Sequence, residues 1–133
     1  MKKVMTKNEI ISPYFENGVF AGVRVTLGDE DFVIAPKDYQ NGNEMPWQEA
    51  MAALKADNLS TWSCRQVRLT MAYRKKVDKA LKDNGGDNLE DCYWTCVENS
   101  DCSSFIYFGI SNTMDIINKL NSCAVRPIKN LKK

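Results

Sequence analysis

The sequence contains no histidine among its 133 residues. This absence removes the commonest general base of enzymes, the usual partner of a catalytic serine or cysteine, and the commonest metal ligand. An excess of one charge is also lacking, since 18 Lys and Arg stand against 17 Asp and Glu, whereas a dedicated nucleic-acid-binding domain is normally basic. Uninterrupted apolar runs span only a few residues, so no membrane span is predicted. These absences favour a binding or structural protein over an enzyme.

The N-terminal segment lacks the apolar stretch of a secretory signal peptide. The basic pair Lys2 and Lys3 is followed by polar and charged residues. We therefore expect the chain not to use the general export route and to meet the reducing cytoplasm of the producing cell. Five cysteines fit this expectation because an odd number cannot all pair within one chain: Cys64, Cys92, Cys96, Cys102 and Cys123. We expect five reduced thiols, and a Cys92–Cys102 or Cys102–Cys123 disulfide would instead indicate life outside the cell.

Metal-binding and catalytic patterns are weak. The cysteines show no C-x2-C spacing, and no histidine is present to complete a mixed zinc site. Acidic residues in segments 90–91 and 98–101 offer oxygen ligands of the kind that calcium prefers, but their composition is more typical of a solvated loop. Arg65 and Arg68 favour a thiolate at Cys64, although a nucleophile without a base is not an enzyme. We predict no catalytic residue, no metal and no cofactor.

Hydrophobic spacing predicts the order of the secondary-structure elements. Alternating residues over 19–27 and 31–35, joined by Gly28-Asp29, indicate a β-hairpin. Two helices follow, one over 46–56 and one over 70–83 with Thr70 as N-cap. Strand patterns occupy 93–97, 104–110 and 123–128, with a short extra strand near 114–117. Because strands and helices come in separate blocks, the prediction is an α+β fold with an antiparallel sheet.

This order divides the chain into three parts. Residues 1–17 are interpreted as a lead-in, 18–128 as a single domain and 129–133 as a charged tail. Two helices are expected to pack on the sheet, with the N-terminal hairpin close to the strand over 123–128. Trp47 and Trp94 lie at core spacing and are predicted to be largely buried.

Four short motifs occur in a recognisable order: Trp47-x-x-Ala50, Val67-Arg68-Leu69-Thr70, Tyr93-Trp94-Thr95-Cys96 and Val125-Arg126-Pro127-Ile128. Together they resemble a bacterial and phage family with the C-type-lectin-like fold, which includes the C-terminal domain of a collagen-like adhesin. Its usual motifs are W-x-x-A, W-R-L-P-T, Y-W-S-S and V-R-P-V. The chain departs from these motifs at Val67, Thr70 and Cys96, and Arg74 stands where the family usually has Glu.

The resemblance covers residues 18–128 and implies a non-catalytic binding or adhesive protein. It favours a phage virion or receptor-binding component that contacts a protein partner, a host receptor or a glycan. The alternative is a bacterial ligand-binding domain of non-viral origin that recognises a glycan or a peptide. Because fold does not determine function, both hypotheses depend on where the binding site lies.

Recognition is predicted in the loops, which are rich in adaptable hydrogen-bonding side chains over 98–103, 111–113 and 118–122. The candidate binding residues are Asn99, Ser100, Asp101, Asn112, Asn118 and Asn121, with Trp62 as an exposed aromatic anchor. The loops flank neighbouring strands and are expected to form one surface.

An alternative contact lies on the charged helix. Basic residues dominate 64–82 and acidic residues dominate 83–101. A partner, or the acidic loop of a second copy in a homo-oligomer, would match the basic face around Arg74, Lys75 and Lys76. The pattern is equally that of a solvated helix face.

Overall fold

Alternation of β-branched and polar residues builds the first sheet. The computed structural model describes residues 10–131, and in it the predicted hairpin is confirmed as β2 (Val19–Leu27) paired antiparallel with β3 (Glu30–Ile34). A further strand, β1 (Ile11–Glu16), pairs antiparallel with β2 across an Asn17-Gly18 turn in which both residues have positive φ. Asn-Gly is a strong hairpin signal. Residues 11–16 therefore belong to the sheet rather than to a lead-in, while residues 1–9 lie outside the described part.

The C-terminal strand is shorter and later than predicted. It is β7 (Ile128–Asn130), which pairs antiparallel with β3 and gives the sheet the order β1-β2-β3-β7. Pro127 has no backbone N–H, so pairing begins only after it. Of the strand expected over 123–128, residues Cys123 and Ala124 form isolated bridges. The expected closeness of the hairpin and the C-terminal segment is confirmed.

A second antiparallel sheet replaces the single sheet expected from the sequence. It consists of β4 (Cys92–Ser100), β5 (Ser103–Phe108) and β6 (Thr113–Asn118), in that order. The short extra strand predicted near 114–117 is β6. The coarse class, α+β with antiparallel strands, is confirmed.

Three α-helices occur within residues 10–131, one more than expected. The first is confirmed as α1 (Trp47–Ala56), with Ala50 and Leu54 buried. The helix predicted over 70–83 is wrong in its start, because α2 (Cys64–Ala72) and α3 (Arg74–Asp83) meet at Tyr73. Thr70 lies inside α2, where its hydroxyl donates to the Gln66 carbonyl at 2.9 Å.

The cap of α2 is Ser63 rather than Thr70. The Ser63 hydroxyl accepts from the Gln66 N–H, and the Gln66 side chain accepts from the Ser63 N–H, which is a capping box. The sequence signal was the Ser-x-x-Gln spacing immediately after Trp62.

None of the helices within the described residues is long and apolar enough to cross a membrane.

Trp62 corrects the prediction of an exposed anchor. Its side chain is completely buried, with ring centroids 5.4 Å from Tyr93 and 5.3 Å from Tyr107. The capping box explains this position, because a residue just before an N-cap commonly packs towards the fourth helical residue, here Val67 of the same core cluster. Trp94 is completely buried as predicted, whereas Trp47 is only half-buried.

Candidate functional site

The predicted binding residues lie at two opposite ends of the β5–β6 hairpin. Ser103 pairs with Asn118 at one end, and Phe108 pairs with Thr113 at the other, next to Asn112. A strand of this length separates its ends by roughly 17 Å at about 3.3 Å per residue. The expectation of one continuous surface is therefore wrong, because Asn112 is remote from the other loop residues.

Five candidates remain together around the end of the hairpin that carries Asn118: Asn99, Ser100, Asp101, Asn118 and Asn121. Their loops are ordered by internal hydrogen bonds. Asn99 Nδ2 donates to Ser103 Oγ at 3.0 Å, and Asn118 Oδ1 accepts from the Leu120 N–H at 2.8 Å. A ligand would thus meet a largely preformed surface, which lowers the entropic cost of binding.

Lys119 organises this end of the molecule, although the sequence analysis did not single it out. Its side chain is 7% exposed and forms an ion pair with Glu98. Its ammonium also donates to the Asp101 carbonyl at 3.1 Å and lies 4.6 Å from the centroid of the Trp47 ring. Because the charge is balanced by a carboxylate, a carbonyl and an aromatic face, burial of this lysine is tolerated.

Backbone hydrogen bonds connect the same elements. The Lys119 N–H donates to the Cys102 carbonyl at 2.9 Å, and the Lys119 carbonyl accepts from the Trp47 N–H at 3.0 Å. The start of α1, the β4–β5 turn and the segment after β6 are therefore joined at one residue. A single lysine between Asn118 and Leu120 carries no sequence signal for such a role.

A cleft of about 290 Å³ lies beside this lysine, and we name it the Lys119 cleft. It is lined by Pro46, Gln48, Asp101, Cys102, Asn118, Lys119 and Leu120. Leu120 is 84% exposed, so an apolar side chain stands among amide and carboxylate groups. This volume is at the lower end for ligand sites and suits one sugar residue or one amino-acid side chain.

Asn112 lies outside this cleft and connects neighbouring elements by hydrogen bonds. It adopts positive φ, its Oδ1 accepts from the Tyr107 hydroxyl at 2.7 Å, and its Nδ2 donates to the Met71 carbonyl at 3.1 Å. Arg74 lies beside it, with a side chain 13% exposed that donates to the Tyr107 hydroxyl at 2.8 Å and pairs with Asp78 at 2.8 Å. Arg74 is therefore not part of an exposed basic face, to which Lys75 and Lys76 still contribute.

A second cluster of titratable groups surrounds Asp38. Its Oδ1 accepts from the Tyr93 hydroxyl at 2.7 Å and from Arg126 Nη1 at 2.9 Å. A hydrogen bond to Asp38, partial removal from water and repulsion by Asp38 and Glu44 together raise the pKa of Asp91 to about 6, against the opposing effect of Arg126. The Asp91 carboxyl, hydrogen-bonded to Asp38, therefore keeps its proton up to about pH 6.

The raised pKa of Asp91 predicts that the stability of the fold depends on pH. Because the folded state binds the Asp91 proton more tightly than the unfolded chain does, the contribution of Asp91 is greatest below about pH 4 and falls as pH rises towards about 6. We expect Asp91→Asn to unfold at higher urea than the wild-type chain at pH 7 to 8, with the difference vanishing near pH 4. The exposed neighbour Glu90→Gln is the control, and equal pH profiles for wild type and Asp91→Asn would contradict the assignment.

The thiols lie on α2, on β4, in the β4–β5 turn and in the segment after β6. Cys92 begins β4, whereas Cys102 lies in the turn after its other end, so the structure does not favour a bond between them. Cys92 Sγ instead lies 3.0 Å from Cys123 Sγ. Within residues 10–131, no three Cys, Asp or Glu side chains converge as ligands of a metal ion would. The expectation of five reduced thiols stays a prediction.

Two comparisons with known proteins found no match for this chain. No family model matches it, and no curated protein shows a significant match. Function is therefore inferred from the site geometry and from the resemblance of the sequence motifs.

Proposed function

We propose that this chain is a non-catalytic binding protein of C-type-lectin-like fold, acting as a phage virion or receptor-binding component through the Lys119 cleft. One observation carries the proposal. Asp101 and Asn118, candidates from two separate stretches of sequence, line a single cleft in the folded chain. Loops held by a rigid sheet are typical sites of recognition.

The positions of the motif residues support the fold assignment. Arg126 and Trp94, from two of the four motifs, are completely buried, and Ala50 of a third packs in the core. The hairpin and the C-terminal segment also lie side by side through the pairing of β3 with β7. Motif residues that build the scaffold leave the loops free to determine the ligand.

A binding role fits the chemistry of the cleft better than catalysis does. The Lys119 ammonium is engaged by Glu98 and by the Asp101 carbonyl, so it is not poised as a free base. No histidine exists anywhere in the sequence to serve instead. The carboxyls of Asp38 and Asp91 do not line the cleft.

The lining also indicates the class of ligand. Exposed Leu120 offers an apolar contact, while Gln48, Asn118 and Asp101 offer hydrogen bonds around it. A sugar ring or a polar peptide side chain presents this combination of an apolar face and a polar edge. In the virion hypothesis the ligand belongs to a host receptor or a neighbouring particle protein. In the alternative, a bacterial domain of non-viral origin binds a free glycan or peptide.

A pair of matched variants tests the cleft. We expect Gln48→Ala combined with Leu120→Ser to weaken binding at least tenfold, about 1.4 kcal/mol, with the melting temperature nearly unchanged. The control is Ile110→Ser, because Ile110 is 77% exposed at the opposite end of the β5–β6 hairpin. Binding is measured on a glycan array and by co-sedimentation with particles purified from the producing cells.

Two results would contradict the proposal, the first its binding site and the second its virion role. Binding that survives the double substitution, but is lost when Lys75 and Lys76 are both changed to Gln, would locate the contact on the basic face of α3. A chain that remains monomeric and is missing from purified particles, yet binds a glycan through the cleft, would favour the non-viral alternative over the virion component.

A further inference from the structure

Cys92 and Cys123 are held opposite each other by the backbone. The parallel bridge between Tyr93 and Ala124 sets the register, with the Ala124 N–H donating to the Cys92 carbonyl at 2.9 Å and the Trp94 N–H to the Ala124 carbonyl at 3.1 Å. Neighbouring strands lie about 4.8 Å apart. This spacing is within the Cα–Cα range of roughly 4.4–6.8 Å that a disulfide requires. The two sulfur atoms lie 3.0 Å apart, so a small rotation of the side chains brings them to the bonding distance of about 2.05 Å.

The two thiols differ in access and in acidity. Cys92 is partly exposed at the start of β4, whereas Cys123 is 2% exposed. A hydrogen bond from the Cys123 thiol lowers the pKa of Cys92, although burial and the nearby Glu44 and Asp91 carboxylates oppose this effect. The same contact and burial raise the pKa of Cys123. An accessible thiol that forms a thiolate more readily, next to a shielded partner, is the arrangement of an attacking and a resolving cysteine.

We infer that Cys92 and Cys123 form a dithiol–disulfide couple that reacts with small-molecule disulfides such as oxidised glutathione. The Cys92 thiolate attacks one glutathione sulfur, the glutathione disulfide breaks, and one glutathione leaves as a thiolate. Cys123 then loses its proton and attacks the Cys92 sulfur, which expels the second glutathione. Two protein thiols are oxidised, and one glutathione disulfide is reduced to two thiols.

A Cys92–Cys123 disulfide would restrict the motion of a segment that lines the Lys119 cleft. Segment 119–122 connects the end of β6 to Cys123 and contributes Lys119 and Leu120 to the cleft. Cys123 is already held by backbone hydrogen bonds with Met45, at 3.0 and 3.1 Å. A covalent link to β4 would fix the far end of this segment more firmly. This consequence rests on the proposed function: the chain is made as a dithiol in a reducing cell and closes to a disulfide once released.

The chemistry is tested on the full chain without any ligand. Reduced protein is incubated with oxidised glutathione under native conditions, remaining thiols are alkylated, and the bonds are mapped by peptide mass spectrometry. We expect a Cys92–Cys123 bond in the wild-type chain and in the matched control Cys64→Ser. In Cys123→Ser, Cys92 should instead retain glutathione. Glutathione that persists on Cys92 of the wild-type chain, or bonds from Cys92 or Cys123 to Cys96 or Cys102, would overturn the couple.

The effect on the cleft is measured by hydrogen exchange. Amides in 119–122 are expected to exchange about tenfold more slowly in the oxidised chain than in the reduced one, consistent with a higher local opening free energy. If these amides exchange at the same rate once the Cys92–Cys123 bond has formed, the bond does not act on the cleft. Failure of the Gln48→Ala and Leu120→Ser substitutions to weaken binding would contradict the proposed function alone, because bond formation and exchange are measured without ligand.

Discussion

Replacing Arg126 with leucine is expected to lower the free energy of unfolding by about 3–5 kcal/mol, because it leaves a buried ion pair without its cation. The Arg126 side chain is 0% exposed and pairs with Asp38 at 2.9 Å. Its other N–H groups donate to backbone carbonyls of three residues: Ala35 at 2.8 Å, Pro36 at 2.8 Å and Asp87 at 2.5 Å. Leucine would remove all of these donors, with only the Pro36 carbonyl still accepting from the Asp87 N–H at 2.8 Å among the bonds of the described residues. Each lost hydrogen bond is costly.

The measurement is urea-induced unfolding followed by fluorescence and circular dichroism. Arg126→Lys should also lose most of this stability, because an ammonium cannot reproduce the fixed fork of a guanidinium. Arg65→Ala is the matched control, since Arg65 is 64% exposed and pairs with Asp29 and Glu30 at the surface. That control should cost less than about 1 kcal/mol. A similarly small loss for Arg126→Leu would show that the cluster does not hold the fold together.

Trp62→Ala is expected to cost about 3–5 kcal/mol, as is typical of an aromatic residue removed from a packed core. Trp62 is completely buried and packs edge-on against both Tyr93 and Tyr107. Its indole N–H meets no acceptor within residues 10–131, whereas the Trp94 N–H donates to the Met45 carbonyl at 2.6 Å. The two tryptophans therefore differ: Trp62 is held by packing alone, whereas Trp94 also forms a buried hydrogen bond.

Phenylalanine substitutions separate the contribution of packing from that of the hydrogen bond. Trp62→Phe should cost less than Trp94→Phe, because only the second removes a buried hydrogen bond. Both are measured by urea unfolding of the same chain, with each Trp→Ala variant as a reference. A loss below about 1 kcal/mol for Trp62→Ala would restore the earlier interpretation of Trp62 as a surface anchor. A larger loss for Trp62→Phe than for Trp94→Phe would show that the Trp62 N–H is satisfied.

Local pattern by itself determined several elements of this protein. The β2–β3 hairpin, α1, β4, β5 and β6 lie where alternation and helical spacing placed them. The α+β class follows from their order along the chain. These features depend on hydrogen bonds and side-chain periodicity among residues close in sequence, which a single chain displays directly.

Some local signals were present but were interpreted differently. Ser63 and Gln66 form a capping box that sets the start of α2, and Asn17-Gly18 marks the β1–β2 turn. Pro127 indicates that pairing of the last strand begins after it. These corrections required no tertiary information, since caps, hairpin turns and proline act within a few residues.

Tertiary structure alone decided the functional geometry. The sequence could not show that Asn112 lies far from Asn118, that Lys119 is buried against Trp47 and Glu98, or that Cys92 contacts Cys123. Each of these relations joins separate elements or opposite ends of one hairpin, so it depends on how strands pair and pack. Polar loops look alike along a chain, and only the packing of the core beneath them determines which side chains meet at a site.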